Sequence, residues 1–231
     1  MDIRDNEATK IIRQGLESKT DYLSLLINNA GLAGTAHNIE LISCDEVKEL
    51  FDVHCCGTIR CFQAVIPYLR KAEGATIVNV NSRLGSIGNV SSGKFDHITV
   101  SYGMRMAKAA QNMLISGLKT SSKARWRRYT KSSKCSHIIE YAPLFRFSYA
   151  LPSNLTWGFE TTSSASLYRE IKNTGISVFS VHPGRILTRM GSPDADMLPE
   201  AAAIRFISWL EKIRQERKFG YFDALGEELP F

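Results

Sequence analysis

Three short, largely apolar runs constrain this chain more than any other feature: Tyr22 to Ile27, Ala75 to Val80, which is rich in β-branched residues, and Ile176 to Val181. Runs of this length read as strands buried on both faces, the habit of parallel sheets. Segments of helical period separate them. Asp5 to Ser18 repeats Ala8, Ile11, Ile12 and Leu16 at helical spacing behind an acidic first turn. Cys44 to Lys71 is long and helical with Pro67 near its end, and Ser101 to Leu118 is helical again. Pro199 to Lys218 opens on proline, and Phe219 to Asp223 reads as a last short strand. Alternating strands and helices predict an α/β fold, a doubly wound parallel sheet with right-handed crossovers.

In such sheets ligands bind beyond the carboxyl ends of the strands. Three strand ends carry unusual residues: Asn28 to Gly31, Ser82 to Gly85, and Pro183 to Thr188. One such stretch alone reads as turn chemistry. Three on one rim predict a site.

The net charge of +6 suggests a nucleic-acid partner until its distribution is seen. Residues 119–165 hold eight Lys/Arg and two acids, which leaves the rest of the chain with 21 of each. The excess therefore belongs to one segment, where Trp126, Tyr129, Phe145, Phe147 and Trp157 are interleaved. That mixture can bind single strands, but its place inside a helix argues against a grafted nucleic-acid module. Five cysteines without a C-x-x-C pair fit reduced thiols in a cytoplasmic setting, and five scattered histidines predict no metal site. No apolar run approaches the roughly 20 residues of a membrane span, and the polar N-terminus shows no secretory signal.

The residues at the strand ends carry a resemblance. Asn28-Asn29-Ala30-Gly31, Ser82-x-x-Gly85, the helix run Ala107 to Met113 and His182-Pro183-Gly184-x-x-x-Thr188, in this order, resemble the short-chain dehydrogenase/reductase family. Arg83 to Ile87, Met190 to Ala195 and Gly226 to Phe231 look like its C-factor or sniffer-like carbonyl reductase branch. The resemblance covers one partial Rossmann-like domain and excludes 119–165. It implies hydride transfer between NAD or NADP and a small carbonyl or alcohol substrate. By it, Asp2 and Ile3 would meet the adenine, and Asn28, Ala30 and Gly31 the adenosine side. Lys108 would bond the nicotinamide ribose, and Pro183, Gly184, Ile186 and Thr188 would border the nicotinamide amide. Ser82 would polarise the substrate carbonyl. It also implies a homo-oligomer paired through the helices at 45–71 and 101–118.

The chain departs from that pattern in four places. No G-x-x-x-G-x-G turn occurs, so the first two βαβ units of the family are expected to be missing and Tyr22 to Ile27 to be an uncovered apolar edge. Met104 stands four residues before Lys108, where the family pattern Tyr-x-x-x-Lys has its phenol. Tyr102 lies about 120° around the helix from Lys108, against about 40° for Met104. It serves as catalytic acid only if the helix starts late. His54 replaces a helix asparagine and either holds a proton relay or is a satisfied core residue. Last, joining Leu118 to Ser166 restores one apolar helix face, so 119–165 reads as a disordered insertion. Three functions stay open, in this order: an oxidoreductase using Ser82, Tyr102, Lys108 and His54, a non-catalytic relative, and a nucleic-acid binder acting through 119–165.

Overall fold

The computed structural model describes residues 1–98, 101–120, 175–191, 195–216 and 219–231. Apart from its first two residues, which continue a helix, segment 119–165 lies outside them, as does the join to Ser166. Strands β1 (Leu25–Asn28), β2 (Thr76–Val80), β3 (Ser177–His182) and β4 (Phe219–Asp223) form one parallel sheet in that order. Helices α1 (Ala8–Glu17), α2 (Cys44–Phe51), α3 (Thr58–Leu69), α4 (Ile87–Ser91), α5 (Tyr102–Thr120) and α6 (Pro199–Glu216) surround it. The arrangement is the expected Rossmann-like one.

Two cores lie on opposite faces, as the strand period of two requires. On one, Phe62, Val65 and Leu69 of α3 pack on Ile77 and Val178, with Ile12 and Leu16 of α1 closing over them. On the other, Trp209, Leu210 and Ile213 of α6 meet Val78, Phe179, Val181 and Phe222. The Phe179 and Trp209 rings meet edge to face with centroids 5.9 Å apart. β2 and β3 are buried along nearly their whole length, as expected for central parallel strands.

β1 corrects one expectation. It begins at Leu25, not Tyr22, and Ile27 is 42% exposed. β1 pairs with β2 alone, so among the described residues nothing covers its outer edge. The helix predicted over Cys44 to Lys71 is continuous but contains a π turn at Asp52–Gly57. α1 starts at Ala8, which leaves Asp5 and Glu7 before its first turn rather than in it.

Three serines place the elements around the second strand end. Ser82 Oγ accepts from Leu84 N–H (3.3 Å) and opens a 3₁₀ turn at Arg83–Gly85. Ser86 Oγ accepts from Asn89 N–H (3.2 Å) and caps α4. Ser101 Oγ accepts from Met104 N–H (3.1 Å) at the start of α5. Gly85 lies so close to α5 that a Cβ there would sit 2.8 Å from the Lys108 carbonyl carbon. Among the described residues no helix is long and apolar enough to cross a membrane, and no cluster of His, Cys, Asp or Glu could hold a metal.

Candidate functional site

β2 and β3 run side by side and in parallel, so the residues that follow them emerge together. Asn81 N–H donates to the Val181 carbonyl (2.6 Å), which fixes the exit of one against the other. A cleft of about 450 Å³ opens there. Ser82 lines it from the end of β2, Gly184 and Ile186 from the end of β3, and Ala33 and Gly34 from the loop after β1. Ser101 and Met104, at the start of α5, close its side. Gly184 has φ +100°, a conformation that suits glycine, and presents bare backbone to the cleft. A Cβ on Gly34 would collide with Ser101 Oγ, so this loop also approaches the helix as closely as it does only with glycine.

Ser82 is held from three sides. Its N–H donates to Asn81 Oδ1 (2.7 Å), and its carbonyl accepts from the Tyr221 hydroxyl (2.5 Å). Its Oγ accepts from Leu84 N–H, which leaves the hydroxyl proton for a ligand. Beneath it lies a buried polar network. Asn81 Nδ2 and Ser180 Oγ both donate to Asn112 Oδ1 (2.7 Å each), and Asn112 Nδ2 donates to the Gly85 carbonyl (3.3 Å). Lys108 Nζ donates to the Val80 carbonyl (2.8 Å) and to Gln111 Oε1 (3.2 Å). Gln111 Nε2 donates to Thr58 Oγ1 (3.0 Å), and Thr58 in turn to the His54 carbonyl (2.8 Å). The chain thus runs from the end of β2 through α5 to the π turn. Burial pulls the Lys108 ammonium down to about 7.

Several expected site residues stand outside the cleft lining. Tyr102 is 43% exposed on the first turn of α5 and does not line the cleft; Met104 does. Lys108 is buried and does not line the cleft. His54 is fully buried, with Nε2 3.0 Å from the Leu32 carbonyl oxygen and Nδ1 unpartnered. Burial, then the nearby Lys108 charge, holds its pKa at about 4. Gly31 is the glycine that lets the backbone lie on this imidazole; a Cβ would sit 2.8 Å from His54 Cε1. Asn28 is buried and donates to Asn79 Oδ1 (2.8 Å), while Ala30 is exposed. Asp2 is paired with Arg4 (2.6 Å), and hydrogen bonds from Arg4 hold its carboxyl at about 2. Ile3 packs against Gly57 of the π turn. Pro183 is half-buried, and exposed Thr188 gives its carbonyl to Gly191 N–H (2.9 Å).

Asn81, Asn112 and Ser180 were not singled out from sequence. A mid-helix asparagine on the buried side of α5 and polar residues inside a strand were the available signals. Arg83, Arg185 and Arg189 also line the cleft, and among the described residues no acid does.

Comparison with known proteins adds the lineage. The sequence model described as short chain dehydrogenase matches residues 1–122. The C-signal protein of Myxococcus xanthus is 23% identical over 213 residues, which covers 92% of this chain and 95% of that one. The mitochondrial D-beta-hydroxybutyrate dehydrogenase of Bos taurus is 36% identical over 86 residues; the match covers 37% of this chain and only 24% of that enzyme's length. Among solved structures, the NADPH-bound carbonyl reductase from chicken fatty liver superimposes with a TM-score of 0.68 at 20% identity. That match covers 100% of this chain and 75% of the reductase, a likeness of fold. With the parallel sheet, the strand-end residues and the matched sequence model in agreement, the chain belongs to the short-chain dehydrogenase/reductase family.

Proposed function

We propose that the cleft at the ends of β2 and β3 is the site of a nicotinamide-linked oxidoreductase acting on a small carbonyl or alcohol. The observation that carries this reading is the convergence of Ser82, with a hydroxyl proton to give, and the bare Gly184 backbone on one cleft. The residues present fit the nicotinamide end of NAD or NADP: the Gly184 backbone and Ile186 line the cleft beside Ser82, with Met197 packed close to where a Cβ on Gly184 would lie, so a flat ring can rest on this wall. They do not fit the pyrophosphate, since no glycine-rich turn faces a helix N-terminus among the described residues. When bound, either cofactor supplies or accepts the hydride.

Ser82 donates to the carbonyl oxygen as negative charge gathers there, and its three-sided support removes the cost of reorienting it. Lys108 places its ammonium on the Val80 carbonyl, two residues before Ser82, where partial protonation near neutral pH adds positive potential at the end of β2. Asn81 and Asn112 position Ser82 and do not touch substrate. A second reading, a non-catalytic relative that binds such compounds, is favoured by one observation: Met104 lines the cleft and, among the described residues, no phenol does.

Fluorescence titration of NADH and NADPH, followed by cofactor oxidation with short aldehydes, tests both. Saturable binding with turnover that falls about a hundredfold in Ser82→Ala supports the first reading. Binding without turnover supports the second. Absence of binding by either cofactor overturns the nicotinamide assignment.

A further inference from the structure

The cleft does not end at Ser82. A second hollow of about 410 Å³ opens beside it, and Arg83, His182, Gly184 and Arg185 form the wall common to both. Lys94 and Arg205 stand exposed on the far rim of this hollow. Three carboxylates share it: Asp196, Asp223 and Glu227. Asp196 is committed to Arg185. Asp223 accepts from the backbone N–H groups of Leu225 and Glu227 (2.9 Å each), which fixes the turn after β4 but leaves its charge in place. Exposed Glu227 adds a further negative charge, so three carboxylates face the four cations Arg83, Lys94, Arg185 and Arg205.

The cations are less well matched. Neither Lys94 nor Arg205 has a carboxylate within 4.0 Å among the described residues, and neither has Arg189 at the edge of the Ser82 cleft. Phe95, 5% exposed, gathers two of the positive groups onto one ring: the Arg83 guanidinium carbon is 5.1 Å and Lys94 Nζ 5.9 Å from its centroid. The ring attracts each cation but does not cancel their mutual repulsion. An anion between them would. His182 Nδ1, in the shared wall, is a buried polar atom with no partner among the described residues.

We propose that the substrate of the Ser82 site carries an anionic group, a carboxylate or a phosphate, seated in this second hollow against Arg83, Lys94 and Arg205. The inference rests on the reading of the Ser82 cleft as a carbonyl site and names the substrate class for it. Lys94 and Arg205 supply the direct charge-assisted bonds. Arg83 keeps its existing interactions and adds positive potential at the junction of the two hollows. Such a ligand is oriented from both ends, which presents its carbonyl to Ser82 in one register.

Calorimetric titration at low ionic strength tests this with 4-oxobutanoate, its methyl ester, butanoate and methyl phosphate. The oxo acid is expected to bind about tenfold more tightly than the ester. The Lys94→Gln/Arg205→Gln protein should bring its affinity down to the ester's, and added salt should weaken the acid alone. Butanoate and methyl phosphate carry the acid group without a carbonyl, and the tighter of the two identifies the anion. Equal affinity for acid and ester overturns the anionic seat and leaves the carbonyl site standing. Anion binding that is lost in the double variant, with 4-oxobutanoate bound no more tightly than butanoate, keeps the seat and overturns the carbonyl site. No binding of any probe ends both.

Discussion

Asn28, at the end of β1, gives its side-chain amide to Asn79, whereas Ser82, one strand over, keeps a hydroxyl proton for whatever enters the cleft. The same contrast extends outward. Beyond β1, Gly31 and Leu32 close onto the His54 ring. Beyond β2 and β3, Ser82, Gly184 and Ile186 stand back from one another around open space. Polar residues at strand ends therefore do two different jobs in one sheet. At the edge strand they bind each other and stiffen the rim. Between the central strands they face outward, held by a second layer that is itself saturated with hydrogen bonds.

The sharpest way to break this comparison is to give the open end what it lacks. Met104→Tyr puts a phenol on the cleft wall, on the face nearest Lys108, and should raise cofactor oxidation with a short aldehyde by about a hundredfold or more. An unchanged rate would show that position 104 does not see the reacting carbonyl. A large loss in Tyr102→Phe would return the acid's role to Tyr102.

The saturated layer is tested next. Asn112→Leu keeps the branched shape but takes the acceptor from one Asn81 N–H and from Ser180 Oγ, and should cost about 3 kcal/mol of stability in urea unfolding. The matching change in the edge cluster, Asn28→Leu, strands one acceptor and should cost less.

The smallest effect is electrostatic. Lys108 titrates at about 7 in the fold against 10.5 ordinarily, so between those values the folded chain binds fewer protons than the unfolded one. This group's contribution is present at high pH and is lost as pH falls through that window, so stability should rise from pH 7 to 9, by about 2 kcal/mol at most. Cys55, pushed up to about 11 by burial, acts in the opposite sense above about pH 9, which sets the upper limit of the measurement. Lys108→Met should flatten the slope.

The central strands were legible because composition and punctuation agree there. A β-branched run stopped by Pro183-Gly184 admits little else, and β3 ends at His182, beside that stop. β1 was read in part. The missing glycine turn predicted the uncovered edge on which Ile27 lies open, but the apolar run did not show that the strand starts only at Leu25. In the candidate site, Ser82, Gly184 and Ile186 could be grouped from their places after consecutive strands. Lys108 was visible as a helix residue, but its burial depends on how closely Gly85 lets the 3₁₀ turn approach α5. The cations around Phe95 were invisible as a group, since Arg83, Lys94 and Arg205 come from a strand end, a loop and a distant helix.

The π turn at Asp52–Gly57 acts as a phase shifter in an otherwise uninterrupted rod. Before it, α2 points Leu50 at the start of α5, where a Cβ on Gly103 would sit 2.7 Å from the leucine methyl. After it, α3 points Phe62, Val65 and Leu69 at the sheet. One extra residue per loop is what separates those two headings. Losing a single residue here would swing all of α3 by about 100°, so this short stretch sets the rotational zero for half of one core.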